Sequence, residues 1–236
     1  MDESRAELLA LFDSVDARQK TSARPVAMLI GGWAVYAYNP YYGSTDIDIM
    51  TTSALRQSLI SMLGKRGYSY HKDAFEDRRL CKRTDAGPIQ VDFFSSRTPY
   101  KFEGRTETIK YDFLYFEWKR NLILGVPVPV PSRTALLVTK LKAAWDRNWR
   151  LENKTTFDAE YEHRKLVKDY SDIIALVDKE RGGKTLDLEI IGGMLHRFKF
   201  LRIVLDRVEG SIPAAEFYGT TPRATQQMIK ELVTLL

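Results

Sequence analysis

Residues 44–49 read Ser44-Thr45-Asp46-Ile47-Asp48-Ile49, an alternation of acid and isoleucine. On an extended strand, side chains two apart share one face. Ile47 and Ile49 must then enter a core, while Asp46 and Asp48 leave it on the opposite side. The chain is thereby committed to a strand with one buried face, drawn here over Thr45 to Thr51. Two adjacent carboxylates repel and raise each other's pKa unless a cation lies between them. Hard divalent ions such as Mg²⁺ take such oxygen ligands. From the pair alone, a metal site and a surface strand with two solvated acids are equally open.

The flanking sequence narrows this. Val26 to Ile30 is a short apolar strand, followed by Gly31-Gly32 and a helix over Trp33 to Tyr38 that Asn39-Pro40 stops. Two glycines between a strand and a helix let backbone N–H groups approach a phosphate at the positive end of the helix dipole. Gly182-Gly183 and Gly192-Gly193 lack that setting and read as turn or helix-break glycines. Downstream, Gln90-Val91-Asp92-Phe93-Phe94 places one acid inside an apolar strand over Ile89 to Phe94. Such an acid is unfavourable unless paired or metal-bound; a strand-edge Asp is the bland alternative. Together, a Gly-rich turn for a triphosphate and Asp46, Asp48 and Asp92 for two Mg²⁺ ions make the two-metal arrangement for in-line displacement at phosphorus.

Around this stretch the pattern predicts an amphipathic first helix (Leu8, Leu9, Leu11, Phe12, Val15) and a helix over Leu55 to Leu63. Strands are expected over Tyr68 to His71, Arg79 to Lys82 and, from its aromatic content, Tyr111 to Trp118. A hairpin is expected from Leu122–Leu124 to Val126–Val130, turning at Gly125. After Ser132 the sequence reads as helices over 133–149, 160–180, 187–209 and 221–235. The fold class expected is α+β: a mixed sheet with flanking helices over 1–131, followed by an all-α domain over 132–236. Cys81 is the one cysteine, which excludes an intrachain disulfide and a zinc site of several cysteines. No apolar run approaches the ~18–20 residues of a membrane span. The first residues, Met1-Asp2-Glu3-Ser4, are acidic where a signal peptide is basic. A cytoplasmic setting is the expectation. The formal charge of +5 permits an NTP or nucleic-acid partner without requiring one.

Ile30-Gly31-Gly32, thirteen residues, then Asp46-Ile47-Asp48-Ile49 resembles the signature of the polymerase-β-type nucleotidyltransferase superfamily. Val91-Asp92-Phe93 resembles its third acid on a later strand. The resemblance covers roughly 26–95 and implies a mixed sheet flanked by helices, two Mg²⁺ ions (Mn²⁺ as the alternative), and transfer of a nucleoside monophosphate from an NTP to a hydroxyl with pyrophosphate released. It implies that Asp46 and Asp48 bind both metals, and that Asp92 contacts the catalytic metal and favours deprotonation of the acceptor. Ser44 and Thr45 would hold phosphate or orient Asp46, or merely cap. The acceptor stays open among an RNA or tRNA 3′ end, a protein hydroxyl and a small hydroxylated molecule, with the basic excess leaning toward RNA. A non-catalytic nucleotide-binding or regulatory module, antitoxin-like or a sensor, is the competing class.

Thr139 to Arg147 and Lys168 to Ile173 resemble the helical half of abortive-infection toxin-like (AbiEii-like) nucleotidyltransferases, where a Lys and a later Asp complete the nucleotide site. At 100° per residue, Lys140 falls on the apolar side and Asp169 between Ile173 and Leu176. Lys142 falls outside, able to pair with Asp146, and Asp172 falls at the polar margin. Lys140 and Asp169 are thus the expected nucleotide-binding pair, against the alternative of a buried bridge between helices. Two departures stand out: Tyr42 where several relatives carry a basic residue, and Trp33 where Ser or Thr is common. Trp33 is expected to pack the helix on the sheet. His71, His163 and His196 match no metal spacing. Arg78-Arg79 and Lys82-Arg83 read as a solvated face or a track for RNA.

Overall fold

The structure is a computed structural model that describes residues 2–19, 24–72, 78–85 and 87–236, with side chains left out at 16–19, 72 and 78. Its elements in chain order are α1 (Asp2–Gln19), β1 (Ala27–Ile30), α2 (Gly31–Tyr36), β2 (Ile47–Thr51), α3 (Ser53–Lys65), β3 (Ser69–Lys72), β4 (Arg78–Thr84) and β5 (Gly87–Phe94). Then come β6 (Pro99–Lys101), β7 (Thr108–Lys110), a 3-10 turn (Tyr111–Tyr115), β8 (Lys119–Ile123) and β9 (Val126–Val130). The helices after them are α4 (Arg133–Glu152), α5 (Ala159–Val177), α6 (Leu188–Arg197), α7 (Arg202–Glu209), α8 (Ile212–Tyr218) and α9 (Pro222–Thr234). The fold is α+β, with a mixed sheet, flanking helices and a helical C-terminal part. No described helix is long and apolar enough to cross a membrane.

Two compact units divide the chain. The first is Met1–Ala37, Tyr42–Pro99 and Lys110–Ser132; the second is Tyr38–Tyr41, Tyr100–Ile109 and Arg133–Leu236. In the first, five strands pair in the order β1-β2-β5-β4-β3. β2 is antiparallel to β1 and parallel to β5, while β4 is antiparallel to both β5 and β3. A parallel pair needs a long crossover, and α3 with the β3–β4 hairpin provides it. Ile47 and Ile49 are fully buried, as the acid–isoleucine alternation requires, together with Met28, Leu29, Leu59 and Leu63. The α1 stripe of Leu8, Leu11, Phe12 and Val15 is buried too. Glu7 of α1 accepts hydrogen bonds of 2.8 Å from both Arg66 and Lys82, which pins α1 to the end of α3 and to β4. Burial alone would raise its carboxyl, but those two cations outweigh burial and hold it below the usual range.

In the second unit α4 lies against α5. Arg133, the first residue of α4, is buried and donates to the carbonyls of Ala175, Leu176 and Arg181. One guanidinium thus satisfies two of the orphan carbonyls at the end of α5 and one in the loop beyond it. Asn39 Nδ2 donates to Ala175 O and Tyr218 Oη, fastening 38–41 to the helices.

Several expectations need correction. Residues 111–115 form a 3-10 turn, where a strand was expected. Tyr111 and Leu114 are its buried residues, and their i,i+3 spacing eclipses on a 3-10 turn. The expected helix over 187–209 is broken: α6 ends at Arg197, a short 3-10 turn follows Phe198, and α7 resumes. Phe198 and Phe200 both pack on Phe102, which draws the chain out of the helical path. α5 stops at Val177 because Asp178 is extended, and its side chain accepts from Glu180 N and Arg181 N instead. α8 was not anticipated, although Ser211 caps its start, Pro213 sits in its first turn and Gly219 ends it at φ +84°.

Candidate functional site

β1 ends at Ile30 and the chain enters α2 at Gly31, where φ is +68°. A side chain is strained in that region. Space imposes glycine as well, since a Cβ on Gly31 would lie 1.9 Å from Asp48 Oδ2 and 2.7 Å from Asp48 Cγ. The register explains this approach: Ile30 pairs with Asp48 across β1 and β2. On its other side Asp48 is level with Asp92 of the parallel strand β5. Residues in register on neighbouring strands share a face, with backbones about 4.8 Å apart. Asp48 and Asp92 are therefore half-buried neighbours beside a glycine turn, on the face opposite the buried Ile47 and Ile49.

Asp46 stands on a bend just before β2, because the strand begins at Ile47, two residues later than the alternation suggested. Thr45 Oγ1 lies 3.4 Å from Asp46 Oδ1. The bend is tied down from α1: Ser4 Oγ donates to Thr45 O at 3.1 Å and accepts from Trp33 Nε1 at 3.2 Å. Trp33 is buried, with its ring edge-on to Tyr36 at 5.4 Å. Gly32 and Ser44 are buried and Thr45 is exposed.

Among the described residues, no three or more His, Cys, Asp or Glu side chains stand close enough together to hold a metal ion. The three-acid cluster expected for two Mg²⁺ is thus not closed; register joins Asp48 to Asp92, and Asp46 precedes the strand. The donors offered at this corner are carboxylate oxygens, the set that a hard divalent ion takes.

Lys140 and Asp169 belong to the second unit and meet there. Lys140 Nζ is 2.8 Å from Asp169 Oδ1 and 2.7 Å from Asp172 Oδ2. Arg147 Nε donates to Asp169 Oδ2 at 2.8 Å. Lys168 Nζ and Tyr41 Oη donate to Asp172 at 3.1 Å and 2.6 Å. Burial alone would lower the Lys140 ammonium, but Asp169 and Asp172 outweigh it and hold it above its usual value. Burial alone would raise the Asp169 carboxyl, but Lys140 and Arg147 hold it well below the carboxylate range. Burial, then the Asp172 charge, push the Tyr41 phenol up.

Two residues face otherwise than the helical wheel places them. Asp172 is fully buried, and Lys142 is buried with Asp146 as its ion-pair partner. Arg147, Asp172 and Tyr41 were missed as members of the network. The spacings Lys140/Arg147 (i,i+7) and Asp169/Asp172 (i,i+3) could have signalled the first two; nothing in the sequence signals Tyr41. His71, His163 and His196 are exposed, and Cys81 is buried and free. Arg79 donates to Gln90, and the Arg78 side chain lies outside the described residues.

No protein-family model matches the chain, and no curated protein does. Among solved structures, an antigenic nucleotidyltransferase-like protein from Paracoccidioides brasiliensis is similar at 17% identity and a TM-score of 0.45, covering 75% of this chain and 76% of that one. The lincomycin-bound lincosamide antibiotic adenylyltransferase LnuA is similar at 17% identity and a TM-score of 0.41, covering 73% and 96%. ANT(2'')-Ia in complex with adenylyl-2''-tobramycin is similar at 13% identity and a TM-score of 0.45, covering 81% and 96%. Likeness of this degree assigns no activity to this chain.

Proposed function

We propose that this chain is a nucleotidyltransferase of the polymerase-β type, moving a nucleoside monophosphate from an NTP to a hydroxyl acceptor. The observation that carries the reading is the corner at which Gly31 lies against Asp48 while Asp48 stands level with Asp92. A sequence motif alone does not require those three to meet; the register brings them together.

In this reading the Gly31 and Gly32 backbone holds the triphosphate, and the Ser44 and Thr45 hydroxyls steady it or orient Asp46. Asp48 and Asp92, which the register brings level, would hold Mg²⁺ or Mn²⁺ with Asp46 as the third expected ligand, and the ion would stabilise charge on the phosphoryl oxygens. Asp92 takes the proton from the acceptor hydroxyl. The acceptor oxygen forms its bond to the α-phosphorus, the bond from that phosphorus to the β-phosphate oxygen breaks, and pyrophosphate leaves with the electron pair. Lys140, with two carboxylates at its ammonium, serves as the bridge between α4 and α5 in preference to a phosphate ligand. The AbiEii-like subtype, which rests on Lys140 and Asp169, is correspondingly the weaker part of the resemblance. The single cysteine suits a cytoplasmic setting.

For the acceptor, the net charge of +5 makes an RNA 3′ end the first class to test, ahead of proteins and small hydroxylated molecules. The test incubates each α-³²P NTP with Mg²⁺, the purified chain, and total RNA, a protein lysate or a small-molecule pool, with Asp48→Ala as control. Label entering one pool in a Mg²⁺-dependent way, and lost in the variant, is the expected result. NTP binding without transfer to any pool would favour the non-catalytic module instead.

A further inference from the structure

We infer a second ligand site on the first unit, beyond the far ends of the strands that carry Asp48 and Asp92, built for a small phosphorylated hydroxy compound. Thr51 follows Asp48 by three residues on β2, about 10 Å along the strand, and Ser95 follows Asp92 by three, just past the end of β5. A cavity of ≈ 460 Å³ opens there, lined by Arg24, Thr52, Ser53, Ser95, Ser96 and Arg97 among others.

Local sequence builds this wall. β2 ends at Thr51, and Thr52 caps α3 by accepting from Leu55 N at 3.4 Å. With its oxygen engaged in that way, the Thr52 hydroxyl offers its proton as a donor. β5 ends at Phe94, and Ser95 Oγ accepts from Arg97 N at 3.2 Å, folding the loop so that Ser96 and Arg97 share the cavity. The two guanidiniums, Arg24 and Arg97, suit a phosphate, which they can meet with two parallel hydrogen bonds. Asp112 lies on the same cavity, its Oδ1 accepting from Phe113 N. A carboxylate there repels a bare anion and accepts from a ligand hydroxyl. The Tyr115 ring completes the wall. The volume is within the range of small-molecule sites and larger than a lone inorganic anion fills. Phosphate at one end and hydroxyls at the other is the chemistry that this lining matches. None of these residues belongs to the proposed transfer corner.

Titration calorimetry on the full chain tests the site with ribose 5-phosphate, ribose and inorganic phosphate as probes. Ribose 5-phosphate is expected to bind saturably, ribose not to bind, and inorganic phosphate to bind at least about tenfold more weakly. Arg97→Gln and Arg24→Gln, at exposed side chains, should each weaken ribose 5-phosphate by about tenfold, the worth of one charge-assisted hydrogen bond. Asp48→Asn should leave that binding unchanged, which separates this site from the transfer corner. Absence of saturable binding, equal affinity for inorganic phosphate, or loss with Asp48→Asn but not with Arg97→Gln would each overturn the proposal.

Discussion

Gly31→Ala puts the proposed transfer corner under a defined load. The new Cβ would stand 1.9 Å from Asp48 Oδ2. Ordinary contact is about 3.5 Å, so the carboxylate must retreat by about 1.6 Å or the turn must open by as much. The backbone strain at φ +68° adds to this, at about 1–2 kcal/mol for a residue with a side chain. Rotation of the Asp48 side chain relieves the contact with its carboxylate but leaves its Cβ 3.0 Å away, so that strain is the least the change costs in stability. For a chain of this length about 1–2 kcal/mol lowers Tm by roughly 2–8 °C. Activity should suffer far more, since a displacement of about 1 Å at a reacting group costs on the order of 10²-fold. The assay is label transfer from an α-³²P NTP beside a thermal melt. A variant that transfers label at the wild-type rate would refute the placing of Asp48 at the reacting phosphate.

Other consequences follow from the second unit. Arg133→Lys cannot reproduce the fork to Ala175, Leu176 and Arg181 carbonyls, so urea unfolding should show a loss of about 2–4 kcal/mol. Lys140→Met leaves Asp169 and Asp172 buried without their ammonium and should cost about 3–5 kcal/mol at neutral pH. Because Asp169 is held below its ordinary pKa in the fold, the unfolded chain binds more protons near pH 4. Its contribution is present above that pH and lost as pH falls further, so wild-type helix content should become more urea-sensitive below about pH 4. The deficit of Lys140→Met relative to wild type should shrink over the same range; a deficit independent of pH would contradict the assignment. Gly104→Ala would place a Cβ 1.9 Å from Trp149 Nε1 at φ +68°, costing about 2–4 kcal/mol and shifting tryptophan fluorescence.

The strand at 47–51 was legible because acid and isoleucine alternate with the period of a half-buried strand. The glycine turn was legible because it lies between an apolar run and a helix. Their meeting was not. Register between β2 and β5 is set by pairing across a crossover of more than thirty residues, 52–86, and no local pattern encodes it. Asp46 was drawn into the strand because its neighbours alternate, yet pairing begins only at Ile47. The wheel misplaced both Lys142 and Asp172. α5 is buried continuously over 169–177, so around Asp172 no solvent face ranks the positions, and on α4 Lys142 is buried although its neighbours at 139, 143 and 145–147 are partly open. A charged residue on such a helix enters the interior with its partners, as Asp172 does with Lys140, Lys168 and Tyr41. The aromatic run at 111–115 misled in the same way, because strand propensity gave way to the burial of Tyr111 and Leu114 on one side of a 3-10 turn.

Asp92 and Asp48 are proposed to share one reacting site. Label transfer from an α-³²P NTP by wild type and by Asp92→Asn tests this, because the isosteric change removes the proposed proton acceptor. Mg²⁺-dependent transfer by wild type is expected, with a fall of about 10²–10⁴-fold in the variant and the melting curve unmoved. Equal transfer by the two proteins would contradict it.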